Sequence, residues 1–69
     1  MSKKTVAIIG AGRVGGSVGY LLARAGYTVA AVAARSMATA EKASVFIGAG
    51  EPLTDVKKAA SKAGIVFIT

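Results

Sequence analysis

The sequence predicts an α/β domain built on a parallel sheet, with its elements in the order β-α-β-α-β-α-β. Three observations predict it. Apolar, largely β-branched runs read TVAII at residues 5–9, TVAAV at residues 28–32 and IVFI at residues 65–68. Between them lie stretches whose apolar residues fall at helical spacing. The chain is 54% hydrophobic and only 17% charged, which suits parallel strands buried on both faces. Strands alternating with helices in this way give a parallel sheet with right-handed crossovers.

Each element has its own local reason. Residues 5–9 form a buried strand that ends at Gly10, and a glycine-rich turn follows. From Arg13 to about Ala25 the apolar residues Val14, Val18, Leu21, Leu22 and Ala25 line one face of an amphipathic helix. Gly26 stands where such a helix ends in a left-handed residue. Residues 28–32 form the second strand, closed by Arg35 and Ser36, and Ser36 caps a helix over residues 37–46. Gly48 and Gly50 end that helix. A short third strand lies around Pro52 and Leu53, with proline tolerated at its first residue. Thr54 or Asp55 caps a third helix over residues 56–63, stopped by Gly64, and residues 65–68 form a fourth buried strand.

Length and composition limit what the chain does. Sixty-nine residues make one small domain. There is no cysteine and no histidine, which removes disulfides, cysteine-based metal sites and the commonest general base. The three acids, Glu41, Glu51 and Asp55, form no recognisable ligand set, so no metal-dependent hydrolase is indicated. The absence of cysteine fits a cytoplasmic protein. Lys3 and Lys4 lead into an apolar run, but Arg13 and Arg24 break it too early for a signal peptide or a membrane span. The net charge of +6 suits an anionic partner. The lysines are scattered and no aromatic residues are interleaved with them, so no nucleic-acid partner is expected.

The segment Gly10-Ala11-Gly12-Arg13-Val14-Gly15 reads G-x-G-x-x-G. Alone the pattern is weak. Here it follows a strand, opens a helix and sits in a βαβ unit of the right length, which is the context of a dinucleotide-binding turn. Gly10 allows the tight turn out of the strand. Gly12, without a Cβ, lets a pyrophosphate approach the backbone, and Gly15 lets the helix pack close to the sheet. The helix start then presents free N–H groups to the phosphates. Gly19, one turn further on, extends the close approach, whereas Gly16 has no specific task.

The second strand decides between dinucleotides. An NAD site places Asp or Glu there, about 20 residues past the glycines, to bond the ribose 2′-OH. That place falls at Ala33 or Ala34, and Arg35 and Ser36 come next. A guanidinium attracts a 2′-phosphate, bonds it with two parallel donors and stacks on adenine. The missing acid and the present Arg35 both indicate NADP rather than NAD. The same missing acid argues against FAD and S-adenosylmethionine. Arg13 is a second basic residue within reach of phosphate, ranked below Arg35.

At these residues the sequence resembles a known family. VAIIGAGRVG, VAAVAARS and the ending AGIVFIT are similar to the Rossmann-like NADP-binding domain of the 6-phosphogluconate-dehydrogenase-like superfamily. The likeness is greatest to the bacterial Rossmann-like domain that precedes an uncharacterised helical domain. The resemblance covers nearly the whole chain. It implies a Rossmann-type three-layer fold, an N-terminal part ending after the fourth strand. It implies that Gly10, Ala11, Gly12, Arg13, Val14, Gly15, Arg35 and Ser36 carry the cofactor, with Thr69 near the nicotinamide ribose. Gly64 departs from the pattern, standing where an Asp is common. No catalytic residue carries over, because in such families those residues lie in the second half of the sheet and in the helical substrate domain.

The expected function is therefore the NADP-binding portion of an oxidoreductase. The alternative, from another class, is a non-catalytic dinucleotide-binding or redox-sensing module. An open fourth strand with an apolar flank pairs or aggregates readily. Self-association, or a helical domain beyond residue 69, is expected to cover it.

Overall fold

The computed structural model describes residues 4–10 and 13–68, with the side chains of residues 13–15 left outside that description. Seven elements follow in order: β1 (Thr5–Ile9), α1 (Arg13–Arg24), β2 (Thr28–Ala33), α2 (Met37–Ile47), β3 (Glu51–Leu53), α3 (Val56–Ala60) and β4 (Ile65–Ile68). The strands form one sheet in the order β3-β2-β1-β4, and every neighbouring pair is parallel. The expected α/β class and element order are the observed ones.

The core has two sides of different build. On one side Val6, Ile8, Val29 and Val32 of the sheet meet Ala43 and Ile47 of α2, with Leu22 and Ala23 of α1 packed against them. On the other side Ala7, Ile9, Ala31, Ala33 and Leu53 meet Ala59 of α3. Two helices thus cover one face and the third covers the other, making three layers. Both faces of β1 are buried from Val6 to Ile9, which is why its sequence runs apolar without alternating. In β2 the pattern slips: Val29 and Val32 share a face although they stand three positions apart. The register with β1 jumps between Val6 and Ala7, whose partners are Val29 and Ala31. Ala30 is the extra residue, and the irregularity turns Ala31 and Ala33 toward α3.

Helix α1 does not bury the stripe its leucines suggest. Leu21 is 65% exposed, and Ala25 lies beyond the helix end. Among its described residues Gly16 and Gly19 are the buried positions, with Leu22 and Ala23 half-buried beside them. A Cβ on Gly19 would overlap Ile47 Cδ1 and lie 3.0 Å from Ile47 Cγ1 and 3.4 Å from Ile8 Cγ1. Glycine at this place lets α1 settle against α2 and β1, and that seam, rather than leucine content, sets the helix's rotation. At the helix end the Gly26 N–H donates to the Ala23 carbonyl at 3.2 Å and the Tyr27 N–H to the Leu22 carbonyl at 3.0 Å. This pairing needs a left-handed residue, and Gly26 has φ +100°.

The remaining helices follow their caps. Ser36 accepts from the Thr39 N–H at the start of α2, and the Gly48 N–H donates back to the Ser44 carbonyl at its end. Asp55, not Thr54, caps α3 by accepting from the Lys58 N–H. Helix α3 stops at Ala60, three residues short of the expected end. Ser61 explains it: its hydroxyl donates to the Lys58 carbonyl at 2.7 Å, and the next N–H groups bond only three residues back. That tightening ends the α pattern. Strand β4, expected to be buried, lies at the sheet edge. Ile65 is half-buried, while Val66, Phe67 and Ile68 are exposed.

Candidate functional site

The parallel register brings four strand ends level. Ile9 pairs with Ala33 and with Ile68, and Ala33 pairs with Leu53. The residues that follow, Gly10, Ala34 and Thr54, therefore stand in one row along the carboxyl edge of the sheet. Two backbone bonds hold the row: the Gly10 N–H donates to the Ala33 carbonyl at 2.9 Å, and the Ala34 N–H to the Leu53 carbonyl at 3.0 Å. Ligands of open parallel sheets bind along this edge.

Gly10 is exposed and has φ +83°, a left-handed conformation that a side chain strains. The turn out of β1 needs it, as the motif predicts. Arg13, Val14 and Gly15 form the first turn of α1, whose N–H groups have no carbonyl partners within the helix. Ala11, Gly12 and Thr69, and the side chains of Arg13 and Val14, lie outside the described residues.

Beside Gly10 a cleft of about 220 Å³ opens between the strand ends and the start of α3. Among the described residues Ile9, Gly10, Ala33, Ala34, Arg35, Thr54 and Val56 line it. Among the described residues, the lining side chains apart from Arg35 and Thr54 are apolar. Arg35 is exposed and makes no ion pair among the described residues, where the one such pair joins Lys62 Nζ to Glu51 Oε1 at 3.2 Å. Asp55, adjacent to the cleft in sequence, has its Oδ1 turned to the Lys58 N–H at 3.1 Å.

Ser36 stands next to Arg35 but is already engaged. Its Oγ accepts from the Thr39 N–H at 3.2 Å and donates to Thr39 Oγ1 at 3.0 Å. A hydroxyl both donates and accepts, so Thr39 Oγ1 accepts the hydrogen bond from the Ser36 hydroxyl and keeps its own O–H to donate. The structure thus brings Gly10, Arg35 and Ser36 to one edge and adds three residues that sequence reasoning missed. Thr39 has a sequence signal in its spacing three residues after a capping serine. Thr54 and Val56 have none, because they reach the cleft only through the sheet's register.

A family model described as a Rossmann-like domain matches residues 1–69. The chain belongs to the Rossmann-like domain family. Comparison with curated proteins and with solved structures gives no match. Membership implies a dinucleotide-binding module, and the cleft of this Rossmann-like domain fits that reading chemically: an apolar slot for a base beside a guanidinium and a helix start for phosphates. Among the described residues no three His, Cys, Asp or Glu side chains cluster to hold a metal. None of the described helices is long and apolar enough to cross a membrane.

Proposed function

We propose that this Rossmann-like domain binds NADP and is the nucleotide-binding portion of an NADP-dependent oxidoreductase. One observation carries the reading: among the described residues the only charged side chain lining the cleft is the guanidinium of Arg35, where an NAD site would present a carboxylate. A guanidinium forms two parallel, charge-assisted bonds to a phosphate. Thr39 supplies a further donor at the start of α2, and Ser36 supplies another if its hydroxyl rotates away from Thr39. The N-terminal turn of α1, reached through Gly10, offers its N–H groups to the pyrophosphate, and the motif glycines Gly12 and Gly15 are assigned to the same cofactor. Ala11, Arg13 and Val14 of the same motif, and Thr69 after β4 in sequence, are assigned to the cofactor with them. When bound, the nicotinamide supplies or accepts a hydride. The chain's own contribution is to hold and orient the adenosine end, and no catalytic residue is assigned.

The test is a parallel titration with NADPH and NADH, read as the shift in thermal unfolding, because a ligand of the folded state raises stability with the logarithm of its concentration over Kd. NADPH is expected to bind about ten-fold or more tightly than NADH, the worth of charge-assisted hydrogen bonds to one phosphate. Arg35→Ala is expected to erase that preference. Equal shifts from both ligands, or a preference that survives Arg35→Ala, would refute the NADP assignment.

A further inference from the structure

We infer that this chain pairs with a second copy of itself through the outer face of α2, the two helices lying parallel. The inference is independent of the NADP reading. Helix α2 is used on two faces. One buries Ala40, Ala43 and Ile47 in the core. The other presents Ala38, Glu41, Lys42 and Val45, all exposed. Their spacing of three, four and seven residues sets them on one side of the helix, and among the described residues they line an open groove. Val45 is 81% exposed, more than any other large hydrophobic residue among those described. Glu41 and Lys42 make no ion pair among the described residues, where the one such pair joins Lys62 to Glu51. The residues three and four positions from each are uncharged, so α2 itself offers neither a partner.

The two charges name the occupant. Ala38 and Val45 run down the middle of the face. At 3.6 residues per turn, Glu41 falls about 50° to one side of that line and Lys42 about 50° to the other. A second copy laid face to face, with its helix parallel and a twofold axis along the helices, sets each Glu41 opposite the Lys42 of the other copy. The pair is offset along the axis by one residue, about 1.5 Å. Val45 then meets Val45, and Ala38 meets Ala38. The antiparallel alternative sets Glu41 against Glu41 and Lys42 against Lys42, and like charges repel. Flanking charges fix the orientation of paired helices in this way. A contact of the same patch on both copies closes on itself and stops at a dimer. A helix of 11 residues is only about 16 Å long and offers less than the about 800 Å² per partner of a standard interface, so the dimer is a weak one. Arg35 and the capping Ser36 directly precede α2, so the parallel pair brings both clefts to the same end.

The experiment is sedimentation equilibrium of the whole chain without ligand, from micromolar to millimolar concentration. Physiological salt screens the net charge of +6 beyond about 8 Å. Wild type is expected to pass reversibly from monomer to dimer and no further. Glu41→Lys and Lys42→Glu each turn two attractions into two repulsions and are expected to weaken the dimer about ten-fold or more. Mixed in equal amounts, the two variants regain it as a heterodimer, and the double exchange Glu41→Lys with Lys42→Glu regains it in one chain. Orientation is read by cross-linking, since the chain has no cysteine of its own. Val45→Cys is expected to form a disulfide with its own copy, whereas an antiparallel pair would join Val45→Cys to Ala38→Cys. These positions are exposed, so unfolding midpoints at low concentration stay near wild type. A monomer at every concentration overturns the inference and leaves the face to a different partner. Association that the single variants leave unchanged also overturns it, by placing the contact elsewhere, as at the β4 edge. Failure of the mixture to recover the dimer does the same.

Discussion

Two glycines one turn apart on α1 make opposite predictions under the same substitution. Alanine is favoured over glycine inside a helix by about 0.5–1 kcal/mol, so each change starts from the same gain. At Gly16 a Cβ would lie 3.6 Å from Phe46 Cδ2, an ordinary contact, and Gly16→Ala keeps the gain. At Gly19 the new Cβ overlaps Ile47 Cδ1 and presses on Cγ1 at 3.0 Å. Ile47 belongs to the buried core and has little room to retreat. Overpacking of this kind costs about 1–3 kcal/mol, so Gly19→Ala is net neutral to destabilising by about 2 kcal/mol. For a domain of this size each kcal/mol moves the midpoint by about 4–8 °C. The two variants should therefore unfold on the order of 10 °C apart, Gly16→Ala above wild type and Gly19→Ala at or below it. The assay is thermal unfolding by circular dichroism, without ligand. Ile47→Val removes the overlapped Cδ1. Alone it costs about 0.5–1.5 kcal/mol, but in the Gly19→Ala background it is expected to cost nothing or to stabilise. Equal stabilisation by both alanines, or strict additivity of Gly19→Ala with Ile47→Val, would refute the glycine seam between α1 and α2.

The other expectations are smaller. Ser36→Ala removes the cap of α2 and should lower stability by about 1 kcal/mol, read from the urea midpoint. Thr39 loses its partner in that variant, so its hydroxyl is freed and NADP affinity should fall less than in Arg35→Ala. Glu51→Gln breaks an ion pair whose two side chains are both partly exposed, and it should move stability by less than about 0.5 kcal/mol.

Much of this fold is legible in the sequence because its signals are local. TVAII followed by glycine, serine before a helical run, and glycine after one each act through their immediate neighbours. The features that escape are those set at a distance. The rotation of α1 depends on Ile47, which reaches Gly19 only once the sheet has formed, so Leu21 looks like a core residue and is not. The end of α3 is set by the Ser61 hydroxyl competing for a helix carbonyl, where Gly64 seemed the obvious stop. The exposure of β4 follows from its place at the edge, which IVFI as a string does not reveal. In the site the same division holds. Gly10, Arg35 and Ser36 are readable because a turn and a strand end mark them. Thr54 and Val56 are ordinary residues made neighbours of Arg35 by the register of β3 on β2.

The position of β1 between β2 and β4 also shapes how the chain reaches this structure. Its Val6 finds Val29 across a single helix but meets Ile65 only across a loop of roughly 60 residues. The first pairing closes cheaply, and the second waits until β4 has been made. Strand β1, which precedes its partners in the chain, is thus the last of the four to have its pairing complete, and its apolar residues stay half-sheltered in the interval. Long-range parallel pairing of this sort is slow compared with helix formation. The docking of β4 is therefore the step expected to limit the folding rate, and the β1–β2 unit that carries Gly10 and Arg35 is the part able to organise before it.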